Sequence, residues 1–557
     1  AVLSALRTVP DPSLRVLLVE AGGSARSLFI DMPAGNGFIF GNPDYDWRLQ
    51  SEPQASLNGQ RIYYPRGLGL GGTSLMNGML YLRGNRQDFD EWSARGVTGW
   101  SYAELLPYFK RSAGAPHRAN DPYHNTDGPL QLSPAANFGR IDERFAAACQ
   151  QAGDCWTDDF NGHQHTGVGC IDTKVHRGKR QSSARAYLSR PPANLTIMTQ
   201  TRVLAIEFDG KRAIGLKLDS GRVRASREVL ICLGAFHSPQ LLLLSGIGPA
   251  RHLQAHGIPT RVDLAGVGTR FYDHPNLPIQ FGLRDPRLSL ARLQRIDRAL
   301  WMGLRYLLTG SGTGSGPFWS SLLFHSFSGA ARPDIEVFLT PMIVREEPGG
   351  SGWSIQNLLS LGRSVIARGN MARPGLQLDV NLLRPRSSGT VRLASANPLD
   401  APLIDPGYFT DTADLDELVA GWRHMRRVMA QPALQGIVSG ELSPGTDIQS
   451  DADMRAAIRR LATTGHHPVA SCPMGSDDDK LAVLDNALRV RGVDGLRVVD
   501  ASSFPTQISA NPNAAVMMMA EKAADLILQK TPLTAQDPRR PACQNTASTG
   551  EPIEQPR

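Results

Sequence analysis

The sequence predicts a mixed α/β fold of two domains, and three observations lead to that prediction. The chain has 557 residues, more than one hydrophobic core usually organises. Residues 14–20 form a short apolar run that ends on an acidic residue, Glu20, as the second strand of a dinucleotide-binding Rossmann unit does. Residues 280–455 mix helix and strand patterns, which indicates a second domain of sheet plus helices.

The composition indicates a soluble globular protein, since 41% of the residues are hydrophobic, 20% are charged and the net charge is +7. The basic residues are dispersed rather than set in a stripe with aromatic residues, which argues against nucleic-acid binding. The sequence contains no run of about 18 apolar residues, so we expect no transmembrane segment.

The six cysteines are scattered without zinc-binding spacing, and we expect no metal site. They fit thiols in a reducing compartment, which predicts a cytoplasmic protein. A disulfide among Cys149, Cys155 and Cys170 stays open as an alternative. Because the sequence starts at Ala1, a removed export signal stays open as well.

The N-terminal region has the pattern of a dinucleotide-binding unit that has already begun. Residues 1–8 have helical spacing and precede the strand that reaches Glu20. In a Rossmann unit a first strand and its G-x-G-x-x-G turn come before such a helix, so we expect roughly 20–30 residues upstream of Ala1. Gly67 to Gly72 fits the same spacing but lacks a strand–turn–helix context. We interpret it as a glycine-rich loop whose backbone approaches a ligand closely.

Periodicity predicts the remaining elements. Short alternating runs at 195–198, 203–208 and 213–218 predict an antiparallel meander. Polar residues dominate residues 531–557, where we expect a disordered tail. The other predicted elements are strands at 228–233, 334–339 and 376–382 and helices at 295–308, 415–429 and 513–529.

Four segments resemble the signatures of one enzyme family. They run from Pro65 to Gly84, from Gly234 to Pro249, from His466 to Gly475 (HHPVASCPMG) and from Gly495 to Ala514. In order and content they resemble the glucose–methanol–choline (GMC) oxidoreductases, and most closely the bacterial choline dehydrogenase-like alcohol dehydrogenases. The resemblance covers most of residues 1–530.

The resemblance implies an FAD-dependent dehydrogenase or oxidase that converts a small-molecule alcohol to an aldehyde or ketone. The flavin accepts a hydride at N5, and the electrons then pass to oxygen or to a quinone or artificial acceptor. The implied domains are discontinuous. An FAD-binding domain comprises residues 1–135, 180–280 and 456–530, and a substrate domain comprises residues 136–179 and 281–455.

In the family's register the acid–base residue is His467, and Asn511 is the neutral partner that holds the substrate oxygen. A neutral histidine suits this role near pH 7, whereas an asparagine amide binds without titrating. His466 is the adjacent alternative. Neighbouring side chains on an extended backbone point in opposite directions, so we expect one of the two histidines to face the flavin, and the register favours His467.

The resemblance also assigns residues to FAD. Glu20 would bind the ribose of the adenosine half, Val203 the adenine, and residues 71–80 would lie against the isoalloxazine ring. Met76 stands where some relatives carry a histidine that bonds FAD covalently, so we predict non-covalent FAD. The helix opened by residues 511–513 would stabilise negative charge on the flavin pyrimidine. The expected cofactor residues are Glu20, Gly71, Gly72, Thr73, Asn77, Gly78, Met79, Leu80, Val203, Asp500, Ala501, Pro512 and Asn513.

One segment departs from the family pattern. Where relatives have Gly-x-Asn-Leu-x-Asp-His, residues 268–274 read Gly-Thr-Arg-Phe-Tyr-Asp-His and keep only the ends. The resemblance places this segment near the substrate entrance, so we expect altered access or specificity. For Asp273 and His274 we favour a structural role over a metal-binding or acid–base role.

Two other functions stand as alternatives. The same scaffold serves hydroxynitrile lyases and a light-driven fatty-acid decarboxylase, but the presence of His467 and Asn511 favours alcohol chemistry. A flavin-free binding protein would follow if no glycine-rich turn preceded Ala1. The sequence identifies neither the alcohol nor the oligomeric state. Choline itself would need an aromatic cage and a carboxylate, which spacing alone does not assign.

Overall fold

Helices and strands are interleaved along the chain in the computed structural model, which describes residues 14–24, 26–294, 296–344 and 372–538. This arrangement confirms the predicted mixed α/β class. The predicted helix at 1–8 and the part of the expected tail from residue 539 onward lie outside the described residues.

The strands fall into short parallel pairs and longer antiparallel sheets. The predicted strand at 376–382 forms with the expected bounds. The strands used below are, in chain order, β1 (Val16–Val19), β2 (Gly167–Cys170), β3 (Leu195–Met198), β4 (Val203–Asp209), β5 (Arg212–Leu218), β6 (Gly221–Arg224), β7 (Val229–Ile231), β8 (Pro275–Leu283), β9 (Ser321–His325), β10 (Ile335–Thr340), β11 (Leu376–Leu382), β12 (Val438–Ser443), β13 (Thr463–Thr464) and β14 (Leu496–Val498).

Several helices begin at polar residues that bond the free backbone N–H groups of the first turn. The Asn85 side chain accepts from the Gln87 N–H, and the Ser450 side chain accepts from the Asp453 N–H. The longer helices are α1 (Arg86–Ala94), α2 (Tyr102–Ser112), α3 (Arg140–Gln151), α4 (Ser183–Leu188), α5 (Gly234–Leu244), α6 (Ala250–Ala255), α7 (Ile296–Thr309), α8 (Ala413–Met429), α9 (Asp451–Leu461) and α10 (Asn513–Ile527).

One half of the molecule contains the parallel pairs. β1 pairs in parallel with β3, and β7 pairs in parallel with β14. The meander consists of β4, β5 and β6, so the prediction that residues 195–198 join it was wrong. The reason is the tight turn after β3, where Gln200 has a φ of 53° and the Thr201 N–H donates to the Glu20 carbonyl. That turn redirects the chain before the meander starts.

The other half is built on one antiparallel sheet with the strand order β12-β8-β11-β10-β9-β2, and β13 pairs with the start of β8. β8 runs from Pro275 to Leu283 and therefore crosses residue 280, where we expected a domain boundary. Side chains alternate between the two faces of this sheet. One face is apolar and packs on α8, where Gly421 lies against Ile335 and Val380.

The opposite face of the sheet is polar, although it is equally enclosed. It carries Asn276, Thr340, Asp379 and Asn381, all of them nearly inaccessible to solvent or lining an internal cavity. Buried polar groups are costly unless they are bonded, so a polar face directed into the molecule indicates a binding surface rather than a core.

Residues 531–538, which we expected to belong to a disordered tail, instead lie along α2 without regular structure. The Leu533 N–H donates to the Tyr108 hydroxyl at 3.2 Å, and the Gln536 N–H donates to the Ala103 carbonyl at 2.8 Å. Arg86 and Asp537 form an ion pair at 3.0 Å. A few apolar and polar anchors therefore fix a segment whose composition is that of a disordered chain.

Two expectations drawn from composition can be compared with the described residues. No disulfide joins Cys149, Cys155 and Cys170 in the described part of the chain, which excludes the pairing left open among them. In the same part of the chain, no helix combines the length and the apolar character needed to cross a lipid bilayer.

The turn after β1 lies directly on the glycine-rich loop at residues 67–72. A Cβ atom at Gly22 would stand 2.3 Å from the Gly69 backbone nitrogen, far inside van der Waals contact. At the neighbouring Gly23, no atom lies within 4 Å of the corresponding position. The absence of a side chain at Gly22 thus allows two backbone segments to meet.

We predict that a Gly22→Ala protein is destabilised by about 1–3 kcal/mol, because the clash is with backbone and cannot be relieved by a rotamer change. Thermal unfolding followed by circular dichroism measures the effect. Gly23→Ala is the matched control and should unfold near the wild-type temperature. Equal melting temperatures for wild type and Gly22→Ala would contradict the close packing described here.

Candidate active site

A cavity of about 1760 Å³ lies between the polar face of the large sheet and the half that contains the parallel strands. Every residue that the sequence indicated for catalysis or cofactor binding lines it. These residues are Glu20, Gly71, Gly72, Thr73, Asn77, Gly78, Met79, Leu80, Val203, His467, Asp500, Ala501, Asn511, Pro512 and Asn513. Segments far apart in the sequence therefore converge on one site.

His467 follows β13 and is held through its backbone. Its N–H donates to Asp273 Oδ1 at 2.7 Å, and its carbonyl accepts from Gln507 Nε2 at 2.9 Å. The residue is 7% exposed. Because both backbone groups are bonded, the position of the imidazole is fixed before any ligand binds.

The Asp273 carboxylate organises this corner of the site. Oδ1 accepts the N–H groups of His274 and His467, and Oδ2 accepts the hydroxyls of Tyr408 at 2.6 Å and Thr464 at 2.5 Å. Burial raises the pKa of Asp273, and the bonds from Thr464 and Tyr408 oppose that rise. These four hydrogen bonds connect the residues just before β8 with β13 and with the segment that contains His467.

A chain of hydrogen bonds fixes the tautomer of His467. His274 Nε2 lies 3.1 Å from the Ile508 carbonyl, which can only accept, so His274 carries its proton on Nε2. His274 Nδ1 is then an acceptor, and it receives the Nδ1–H of His467 at 2.9 Å. The free lone pair of His467 is consequently on Nε2, which accepts from Asn511 Nδ2 at 2.7 Å.

Asn511 presents its amide to the cavity from the turn that precedes α10. The amide nitrogen is bonded to His467, whereas its Oδ1 is buried and has no hydrogen-bond partner among the described residues. A buried amide oxygen without a partner is uncommon in folded proteins and marks a place where a ligand donor can bind. A ligand donor bound to this oxygen would lie close to His467, whose Nε2 is 2.7 Å from the nitrogen of the same amide.

The surroundings of His467 favour its neutral form. Burial is the largest cause of a pKa well below the usual value, and the neighbouring His274, His466 and Arg66 lower it further. Glu336 also lies close, with a carboxyl oxygen within 4.8 Å of a nitrogen of His274 and of His467. Burial raises the pKa of Glu336 well above its usual value, so it contributes a neutral carboxylic acid. His467 is therefore a free base at neutral pH.

The backbone at His466 is left-handed rather than extended, with a φ of 64°. Strand alternation therefore does not apply to His466 and His467, and both residues line the cavity. The His466 carbonyl accepts from the two terminal nitrogens of Arg66 at 3.3 Å, which fixes this turn. The bonds to His274 and Asn511, rather than strand alternation, distinguish His467.

The segment 268–274 lies against the segment that contains His467, because Tyr272 pairs with Val469 through two backbone hydrogen bonds of 2.9 and 3.1 Å. Its place near the substrate entrance stays a prediction. An adjacent Asp–His pair was a visible signal, but no local pattern could give its partner 193 residues away.

Sequence reasoning missed three side chains of the cavity wall. Trp319, Phe338 and Asp379 line the cavity. Asp379 accepts from Gln377 Nε2 at 2.8 Å and from the Thr340 hydroxyl at 3.3 Å. Burial raises the pKa of Asp379 to about 6, and those two bonds oppose the rise. At neutral pH the wall therefore combines a carboxylate with two aromatic rings.

Sequence reasoning also missed Lys174, which lies between two expected cofactor segments. Its N–H donates to the Met79 carbonyl at 2.6 Å, and its ammonium group donates to the Asn513 amide oxygen at the start of α10. Nearby, Arg180 Nη1 donates to the Asn77 carbonyl at 2.6 Å. These two cations support the loop and the helix that face each other across this end of the cavity.

Two other predicted residues, Glu20 and Asp500, line the cavity near the end of β1 and the start of α5. Glu20 Oε1 accepts the Gly22 N–H at 2.8 Å, and burial raises the pKa of this carboxyl group. Asp500 uses both carboxylate oxygens internally. Oδ1 accepts from Ser502, and Oδ2 accepts from the Gly234 N–H at 2.9 Å and the Ser238 hydroxyl at 2.6 Å. Asp500 therefore fixes the start of α5 instead of presenting a free carboxylate.

The residues that line the cavity fit an extended cofactor such as FAD, and most of its binding site is already formed. At Gly72 and Gly234 the φ angles are 53° and 81°, and no atom lies within 4 Å of where a Cβ would stand, so a ligand can approach the backbone. The partnerless Oδ1 of Asn511 and the buried cation of Lys174 both lie on the cavity. Such a cofactor would be held by the turn after β1, the loop at 67–80 and the start of α10.

Comparisons with known proteins agree with this site. Family models of the GMC oxidoreductases match residues 16–276 and 385–520. The oxygen-dependent choline dehydrogenase of Photobacterium profundum is 37% identical, covering 93% of this chain and 89% of its own length. The mitochondrial choline dehydrogenase of Homo sapiens is 38% identical, covering 94% and 86%. The crystal structure of pyridoxine 4-oxidase from Mesorbium loti superimposes with a TM-score of 0.81 at 28% identity, covering 95% and 97%.

The family models include the segments that contain Glu20, His467 and Asn511, and the two choline dehydrogenases match 93% and 94% of the chain. The family's enzymes are flavoproteins that bind FAD, in keeping with the fit described above. The chain belongs to the GMC oxidoreductases, as an FAD-dependent enzyme of the choline dehydrogenase-like kind.

Proposed function

We propose that this protein oxidises the CH–OH group of a small alcohol to an aldehyde or ketone, with His467 as the base. The observation that carries the proposal is the hydrogen-bond chain from the Ile508 carbonyl through His274 to His467, which leaves Nε2 as the basic nitrogen. A base for this reaction must be unprotonated and must lie where the substrate oxygen binds. His467 meets both conditions.

The protein contributes proton transfer and orientation. The alcohol hydroxyl takes the place of the Asn511 Nδ2–H group at His467 Nε2 and donates to this nitrogen. The amide of Asn511, released from that bond, donates to the alcohol oxygen without titrating. As the O–H bond breaks, the proton forms an N–H bond at Nε2 and the carbon–oxygen double bond forms. When bound, FAD accepts the hydride that leaves the alcohol carbon. The resulting imidazolium keeps its Nδ1–H bond to His274.

FAD is proposed to bind without a covalent link, because Met76 lines the cavity where a linking histidine would be required. Precipitation with acid separates the two cases, since non-covalent FAD is released into the supernatant. The electron acceptor is proposed to be oxygen or a quinone, and assays with each acceptor distinguish an oxidase from a dehydrogenase.

We predict that His467→Ala slows anaerobic reduction of the flavin by an alcohol by about 10²–10⁴-fold, because proton transfer from the hydroxyl loses its acceptor. Stopped-flow bleaching of the flavin spectrum measures the rate. His466→Ala is the matched control, since His466 also lines the cavity but makes no side-chain bond to Asn511. Wild-type bleaching in His467→Ala, or an equal loss in both variants, would remove the assignment.

The pH profile gives a second prediction. A base acts in its neutral form, so activity is full above its pKa and falls as the pH drops through it. Burial, the two neighbouring histidines and Arg66 place that pKa below 6.5. We therefore expect kcat/KM for a neutral alcohol to show no acid limb above pH 6.5 and to fall at lower pH. An acid limb with its midpoint at or above pH 6.5 would contradict a depressed pKa.

We further propose that the alcohol carries a cationic group, as choline does. The carboxylate of Asp379 and the rings of Trp319 and Phe338 are the side chains that recognise such a group, and all three line the cavity. Asp379 lies two residues along β11 from Asn381, whose amide oxygen would stand 2.7 Å from a Cβ at Gly465. The Asp379 carboxylate therefore lies about 7 Å along the strand from a side chain that contacts the segment containing His467.

Asp379→Asn tests this substrate class. We expect kcat/KM for choline to fall by about tenfold or more at pH 8, where the wild-type carboxylate is ionised, because the charge attraction is lost. The neutral isostere 3,3-dimethylbutan-1-ol should react equally well with both proteins. An equal loss for both alcohols would assign Asp379 to structure, and a wild-type preference for the neutral alcohol would exclude a cationic substrate.

A further inference from the structure

Lys174 is a buried cation on the cavity wall. The residue is 2% exposed, and its ammonium group donates a hydrogen bond to the neutral amide oxygen of Asn513. Burial and the nearby Arg180 lower the pKa of Lys174 to about 7. An ammonium group enclosed in protein is costly unless an anion compensates it.

Protein carboxylates do not provide that compensation. Among the described residues, neither Lys174 nor Arg180 forms an ion pair. The carboxylate that acts on Arg180 is Asp31, which already forms an ion pair with Arg185. Two basic side chains without an ion-pair partner among the described residues therefore lie together at one end of a cavity. An anionic group of a ligand bound there would favour the protonated form of Lys174.

The position of Lys174 indicates which part of the ligand it meets. Its backbone is bonded to Met79 in the glycine-rich segment, and its side chain is bonded to Asn513 at the start of α10. α10 has 15 residues, and its N-terminus adds partial positive charge to the ammonium group. If FAD binds as proposed above, these two segments enclose the pyrimidine edge of its ring system.

We propose that Lys174 lies at the pyrimidine edge of bound FAD and stabilises the negative charge of the reduced ring. The inference rests on the proposed binding of FAD. Transfer of a hydride from the alcohol carbon to oxidised FAD leaves one negative charge on the reduced flavin, while the hydroxyl proton goes to His467. The charge balance is complete, with a new anion beside Lys174 and a new cation at His467.

The test uses the purified holoenzyme without any alcohol. Sulfite adds to flavin N5 and places a negative charge on the pyrimidine, so its dissociation constant reports the stabilisation of that charge. We expect Lys174→Met and Lys174→Gln to weaken sulfite binding by at least about tenfold and to lower the two-electron midpoint potential by about 30 mV for each tenfold. Lys174→Arg, which keeps the charge, should stay close to wild type.

Lys522→Met is the matched control, because Lys522 is also a buried lysine but lies over the rings of Trp100 and Tyr108 away from the cavity. It should change neither sulfite affinity nor potential. Unchanged values in Lys174→Met and Lys174→Gln would overturn the proposal. So would a loss confined to the binding of alcohols that carry a carboxylate, which would assign Lys174 to the substrate.

Two further outcomes are also decisive. If both neutral variants lose FAD, the wild-type protein and Lys174→Arg decide. Because arginine keeps its charge whereas Lys174 loses its proton as the pH rises, sulfite affinity must weaken more steeply with pH in the wild type than in Lys174→Arg, and the same pH dependence in both overturns the proposal. A wild-type protein that carries no flavin contradicts the proposed function itself. Failure of the Lys174 assignment is therefore distinguishable from failure of the flavoenzyme assignment.

Discussion

The buried carboxylate of Asp273 is the contact on which the geometry of the site depends. It accepts four hydrogen bonds, from the backbone of His274 and His467 and from the hydroxyls of Tyr408 and Thr464. Removing such an acceptor leaves buried donors unbonded, at a cost of about 1–3 kcal/mol for each. Because this carboxylate joins the large sheet to the catalytic segment, the two imidazoles keep the alignment that sets the tautomer of His467.

Three titratable side chains of the cavity wall, His467, Asp379 and Lys174, lie in different electrostatic surroundings. His467 lies among buried neutral groups and Arg66, which favour its unprotonated form, the sheet presents the carboxylate of Asp379, and Lys174 lies at the opposite end without a carboxylate partner among the described residues. Each arrangement uses burial to strengthen a small number of charges. The polar face of the antiparallel sheet is what allows substrate-binding groups to lie inside the molecule, since its other face supplies the hydrophobic core.

The parts of the site that could be predicted from the sequence are those that short segments encode. His467, Asn511 and the loop at 71–80 each belong to a recognisable stretch, and all of them line the cavity. Asp379 and Lys174 were missed, and His274 was given a structural role without its partner, because the importance of these residues arises from contacts made across the fold, such as the bond from Lys174 to a residue 339 positions later. Strand pairing was misjudged at 195–198 for a related reason, since alternation predicts a strand but does not give its partner.

The central claim is that His467 carries its proton on Nδ1 and offers Nε2 as a base. The most direct measurement is nitrogen-15 NMR of the holoenzyme with labelled histidine at pH 7.5, with the His467 signals assigned from their absence in a His467→Gln protein. We expect a protonated Nδ1 and an unprotonated Nε2 for this residue. A protonated Nε2, or a doubly protonated ring, would contradict it.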